Sequence, residues 1–185
     1  MSKVKVSITE ALAEANNGKL IDKKIASESQ FVQQFIFRQE AVLDRLTKDG
    51  GEDKVVRGKM QSIDDLFERK IRILSAIKEA NSNNTITINN QSRTIEQWLI
   101  IKQYIATPKM QYIRGLIQKI DEARNLAQRS GGQVIDGKVP AQFSGNVIVN
   151  VDETKLRDEL TKLQETMDIL DGQLSLKNAT IQVEI

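Results

Sequence analysis

Three basic side chains stand close enough together in this sequence to grip an anion: Arg69, Lys70 and Arg72 fall within one turn of any helix that carries them. Arg57 and Lys59 precede them by about three turns, so one side of such a helix carries a broken basic line. A guanidinium offers planar, forked donors that match phosphate oxygens, and the line suits a small phosphate-bearing ligand, more so if the helix packs against its symmetry mate. Lines of this kind also serve merely to keep a helix solvated, and both readings stay open. A second constellation joins Arg93 to Trp98. Arg93 stands just before a helix N-terminus, where free amides and the helix dipole favour anions, and an indole face can stack a nucleobase. Trp98 is also in phase with Ile101 and Ile105, as a core or hairpin-packing residue would be. The candidate ligand-binding set is therefore Arg57, Arg69, Arg72, Arg93 and Trp98.

Covalent and metal chemistry find few tools in this chain. There is no cysteine, which removes thiolate catalysis, disulfides and Cys-ligated zinc, and no histidine, the commonest general base and transition-metal ligand near neutral pH. Asp64, Asp65 and Glu68 form an acidic group that a hard cation could use, but Arg69 and Lys70 beside them make an ion-paired helix face the expected outcome. The phosphate loop G-x-x-x-x-G-K-[ST], the dinucleotide turn G-x-G-x-x-G and the nucleophile elbow G-x-S-x-G are all missing. An enzyme, a cofactor and a bound metal are therefore not expected. Lys and Arg number 27 against 25 Asp and Glu, a net charge of +2, with signs interleaved along every long segment, and this argues against bulk nucleic-acid binding. The opening MSKVKVSITEALAEA places charges where a secretion signal needs an apolar run, and no stretch approaches membrane length; the expectation is a cytoplasmic protein without a membrane partner.

The elements that must position these residues are mostly helical. Ser7-Ile8-Thr9-Glu10 has capping-box spacing and opens a helix over about 8–27, which Asn16-Asn17-Gly18 should kink or break. Residues 31–37, FVQQFIF, hold three of the five phenylalanines in β-favouring company and predict a short strand; Phe31, Phe35 and Phe37 belong to the core or wall a pocket at a subunit interface. Lys48-Asp49-Gly50-Gly51-Glu52-Asp53 reads as a flexible turn. Val56, Met60, Ile63, Phe67, Ile71, Leu74 and Ile77 then recur every three or four residues, a long helix over 53–80. A hairpin over 85–94 follows, and a second capping box, Thr94-Ile95-Glu96-Gln97, opens a helix over 95–129 that Pro108 should kink or restart, with Thr107 as its new cap.

Asp136-Gly137 signals a tight hairpin within 133–139, and 146–151 reads as another strand. Asp152 caps a last helix over 153–177, where Leu156, Leu160, Leu163, Met167, Leu170 and Leu174 make a nearly heptad seam. The final strand, 180–185, echoes 85–88, since both follow a helix that ends in asparagine, and the two could join one small sheet. With aromatic residues at only 4%, narrow Leu/Ile seams replace a broad core. The fold class is mainly α: one elongated domain, 1–185, of long antiparallel, coiled-coil-like helices with short β elements at their ends. Seams this narrow leave apolar surface on a lone chain, so a homo-oligomer is expected.

Ala11-Leu12-Ala13-Glu14 with Asp22-Lys23-Lys24-Ile25, the stretch from Leu66 to Asn84 with its strand and following helix, and Val147 to Ile185 together cover a little over half the chain. In these parts the chain resembles the septicolysin-like helical proteins of bacteria and similar uncharacterised proteins from phages of Gram-positive hosts. The insert Asn16-Asn17-Gly18 and the segment from Phe31 to Glu52 depart from that pattern. The resemblance implies a phage-type protein at work in a host bacterial cytoplasm. Two functions fit: a non-enzymatic anti-defence sponge that sequesters a nucleotide immune signal, or a structural or adaptor component of a virion acting through protein contacts.

Overall fold

A computed structural model of the protein describes residues 4–131 and 147–185 in full and residues 134–136 as strand backbone. In chain order the elements are β1 (Lys5–Ser7), α1 (Ile8–Ala15), α2 (Leu20–Phe35), a 3₁₀ turn (Thr47–Asp49), α3 (Glu52–Asn83), β2 (Thr85–Ile88) and β3 (Gln91–Thr94). Next come α4 (Ile95–Ile100), a π-helical stretch (Ile101–Ala106), α5 (Thr107–Arg129), β4 (Val134–Asp136), β5 (Val147–Val149), α6 (Glu153–Thr180) and β6 (Gln182–Glu184). Among the described residues the protein is mainly helical, with four long helices and small strand pairs. It divides into two compact units, Met1–Asn84 with Ser175–Ile185, and Thr85–Leu174.

In the first unit the predicted capping box is present: the Ser7 hydroxyl accepts the Glu10 amide at 3.2 Å, and the Glu10 carboxylate accepts the Ser7 amide at 2.8 Å. The break at Asn16-Asn17-Gly18 is real, and Gly18, at φ +72°, takes the left-handed turn that a side chain would resist. The strand predicted over 31–37 does not form; α2 runs on through Phe35. Phe31 and Phe35 stand four residues apart, so a helix brings their rings together, with centroids 4.7 Å apart. Arg45 and Lys59 then cap the two rings at 4.8 and 6.0 Å. Tertiary packing of this kind outweighs a local β preference.

α3 lies antiparallel to α2, joined by Lys70 to Asp22 at 2.6 Å and by Lys59 to Glu28 at 3.4 Å. The turn expected to be flexible is anchored by polar groups. Asp44 accepts the amides of Leu46 at 2.8 Å and Glu52 at 2.9 Å, and the buried Glu52 faces Arg38 and Arg45 at 3.4 and 3.9 Å. These amide bonds, the Glu52 one first, hold the Asp44 carboxyl below the usual range. The core gathers Ile8, Ala11, Ala15, Ile21, Ile73, Ile77 and Val183. Ile73, outside the predicted stripe, is fully buried at its centre. Four members of that stripe, Met60, Phe67, Ile71 and Leu74, stay exposed. The apolar sector of α3 is wider than one seam, and α1 and α2 cover only one edge of it.

β6 pairs antiparallel with β1, Val6 opposite Val183. β2 pairs instead with β3, so the shared sheet suggested by the echo between 85–88 and 180–185 is not formed; each strand has its own partner. The two asparagines at the hairpin tip, Asn89 and Asn90, adopt φ of +50° and +62°, the values that a two-residue turn demands and asparagine tolerates.

In the second unit Thr94 and Gln97 complete the other predicted capping box, each accepting the other's amide at 3.1 Å. Pro108 neither stops the helix nor creates a capped restart. The turns before it widen to π geometry over Ile101–Ala106, and no side chain caps the start of α5. Because the backbone stays helical, Thr107 meets no exposed amides to cap. The Asp152 cap forms, accepting the Lys155 amide at 3.1 Å, and the Leu156 to Leu174 seam faces inward. Lys102 to Asp171, Lys109 to Glu159, Asp121 to Arg157 and Arg124 to Glu153 run in opposite chain order, so this length of α6 lies antiparallel to α5 and the turns before it. β4 and β5 pair in parallel, Val134 opposite Val147. The predicted turn at Asp136-Gly137 falls on Gly137 and the residues after it, outside the described residues; Asp136 itself ends β4.

Candidate functional site

α3 presents a groove toward the β1–β6 pair, with a volume of about 580 Å³. Val4, Ile71, Ile73, Ala76 and Ile185 give it apolar walls. Arg69, Arg72, Ser75, Glu79 and Glu184 supply its polar groups. The strand pair that closes one side is extended just past β6: Ile185 and Val4 exchange backbone hydrogen bonds of 3.0 and 3.1 Å. The alternation of 180–185 was legible in the sequence, but its partner strand carries only three residues and little signal. Val4, Glu79 and Ile185 were therefore missed as site residues.

The structure brings Arg69 and Arg72 to this one groove. Their electrostatic states differ. Arg69 is clamped by Glu14 of α1, through its Nε and, at 3.1 Å, its Nη2. The paired carboxylate holds the guanidinium still more firmly protonated than a free arginine, and also offsets part of its charge toward a ligand. Arg72 has no hydrogen bond or carboxylate partner among the described residues. Its donors face solvent at the groove. Glu79 likewise carries no ion pair among the described residues, two turns further along the same helix.

The rest of the basic line is engaged elsewhere. Lys59 and Lys70 turn to α2, and Lys70 with the Gly18 amide holds the Asp22 carboxyl below the usual range. Arg57 pairs with Asp53 at 2.9 Å on the open side of α3, away from the groove lining. Arg93 and Trp98 belong to the second unit. There the indole Nε1 donates to the Ile86 carbonyl at 2.9 Å, the ring is 4% exposed, and the Arg93 guanidinium lies 5.9 Å from its centroid. Trp98 thus packs the hairpin onto α4, with little ring left to receive a base.

Asp64, Asp65 and Glu68 do not converge with other ligands: among the described residues no group of His, Cys, Asp or Glu is arranged to hold a metal ion. Nor, among them, is any helix long and apolar enough to cross a membrane. Chemically, the groove offers one guanidinium without a partner among the described residues, one half-neutralised guanidinium, the Glu79 carboxylate, a second carboxylate on Glu184 that pairs with Lys5 at 3.6 Å, and an apolar wall between them. No family model, curated protein or solved structure matches the chain.

Proposed function

We propose that this protein is a non-enzymatic binding protein, working as a homo-oligomer, that captures a small phosphate-bearing molecule in the α3 groove and holds it unaltered. The observation that carries the reading is Arg72: a guanidinium without a partner among the described residues, set on an apolar wall in a groove of ligand size. Arg72 and Arg69 receive the phosphate oxygens. Glu79, about 10 Å along the helix from Arg72, accepts N–H groups at the other end of the ligand. That polarity suits a nucleotide better than inorganic phosphate, since a nucleotide has an anionic end, an apolar ring face and amino donors. Neither histidine nor cysteine is available to transform it.

A nucleotide immune signal as the ligand, and a phage anti-defence sponge as the role, draw their support from the resemblance of Leu66–Asn84 and the C-terminal segment to the septicolysin-like and phage proteins. The test is a thermal-shift screen against cyclic dinucleotides, cyclic ADP-ribose isomers and ordinary nucleotides, followed by denaturation and identification of the released molecule. A ligand that binds only the native state raises the midpoint by mass action, by several degrees at saturating excess, and should be recovered intact. Altered product would make the protein an enzyme, and no shift with any nucleotide would remove the sponge reading. The second reading, an adaptor or virion component, is favoured by the large apolar side chains left on helix surfaces, Phe67 and Ile71 in one unit and Ile105 and Tyr112 in the other. It predicts partner-dependent assemblies indifferent to nucleotides.

A further inference from the structure

The exposed apolar residues of α3 are ordered along the helix. Phe67, Ile71 and Leu74 follow at intervals of four and three, the spacing that lines up one stripe, and they are 48%, 58% and 42% exposed. Met60 extends the stripe by two turns at its N-terminal end. Beside the stripe a shallow depression of about 290 Å³ opens between α2 and α3, walled by Val32, Met60 and Ile63. The charges at the two ends of the three central residues are opposite. Asp64 stands one turn before Phe67 and Lys78 one turn after Leu74, and neither has a hydrogen bond or ion pair among the described residues. The stripe is therefore nearly self-complementary under reversal. Turned end for end about Ile71, it sets Phe67 against Leu74, Ile71 against itself, and Asp64 against Lys78 at both ends.

We propose that α3 pairs antiparallel with α3 of a second copy of this chain, about a two-fold axis near Ile71. The two-fold makes the contact isologous, so it closes at two copies and leaves no unfilled face to propagate. Burial of three large apolar side chains on each copy drives the association, and the two Asp64–Lys78 pairs select the antiparallel direction over the parallel one, in which like charges would meet. Ile71 also walls the groove, so the grooves of the two copies share an edge at the axis, with an Arg72 on either side. The pairing itself needs no ligand, and its test is independent of the nucleotide reading.

The chain lacks cysteine, so a single introduced thiol reports the contact without interference. Ile71→Cys should oxidise to a disulfide-linked dimer under mild oxidant, because the axis sets the two thiols face to face. Gln61→Cys, on the same helix but off the stripe, should remain a single chain under the same conditions. By light scattering, the untreated protein should show a mass of at least twice the 20.9 kDa of one chain. Asp64→Lys and Lys78→Asp should each weaken the dimer by about tenfold, and the double reversal should restore it. An Ile71→Cys variant that links no faster than Gln61→Cys, or a wild-type mass of one chain, would overturn the pairing. A double reversal no better than either single change would overturn its antiparallel direction.

Discussion

Arg93 lies over a tryptophan ring and Arg72 beside an isoleucine wall, and the two arginines are engaged in opposite ways. At the hairpin every group is used within the chain: the Trp98 N–H reaches the Ile86 carbonyl, Arg93 covers the indole, and Ile86, Ile88 and Ile95 are buried around them. At the groove Glu14 takes Arg69, but Arg72 and Glu79 are left without partners among the described residues. From the sequence both pairs stood as candidate ligand sites, with Trp98 equally in phase to be a packing residue. What distinguishes a binding site is unused hydrogen-bonding capacity, and a buried indole with its N–H already donated has almost none.

The largest expected effect lies on the structural side of that contrast. Trp98→Ala removes a buried ring and strands the Ile86 carbonyl, and should lower the stability of the protein by about 3–5 kcal/mol in urea unfolding. A loss well under about 1 kcal/mol would mean that the ring is not a packing residue. Ile73→Ala, at the core beneath the groove, should cost about 2–4 kcal/mol by the same measurement, and Ile73→Val about 1 kcal/mol. Acid should then weaken both regions alike. Asp22 and Asp44 in the first unit and Glu153 in the second all have lowered pKa values, Glu153 chiefly through its bond from Arg157. A depressed folded-state pKa adds stability that is fully present above the unfolded value, about 3.9 for Asp and 4.3 for Glu, and is lost as pH falls below it. Thermal midpoints should therefore hold steady from pH 7 to about 5 and fall below pH 4; a fall already complete at pH 5 would contradict it. Smallest is Arg93→Ala, where an exposed cation above a ring is worth about 0.5–1 kcal/mol.

Much of this arrangement could be read from residue order, and the exceptions have definite causes. Both capping boxes, the hairpin at Asn89-Asn90, the break at Asn16-Asn17-Gly18 and the α6 seam all formed, because each is set by neighbours within four residues. The failures involve partners distant in the chain. Phe31–Phe35 of FVQQFIF became helix, with Arg45 and Lys59 arriving from elsewhere to cap the two rings. β6 found β1 across nearly the whole length of the chain, and the groove between that pair and α3 could not be seen before the pairing was known. Arg69 and Arg72 were legible as a pair from spacing alone; that Glu14 would take one and leave the other was not.

The most direct test of the groove is calorimetric titration of a nucleotide found in the thermal-shift screen into the wild-type protein, Arg72→Ala and Arg93→Ala. Loss of one charge-assisted phosphate contact, about 1.5–3 kcal/mol, should weaken Arg72→Ala by about 10- to 150-fold, while Arg93→Ala binds as the wild type does. Full affinity in Arg72→Ala together with loss in Arg93→Ala would place the ligand at the hairpin and contradict the account.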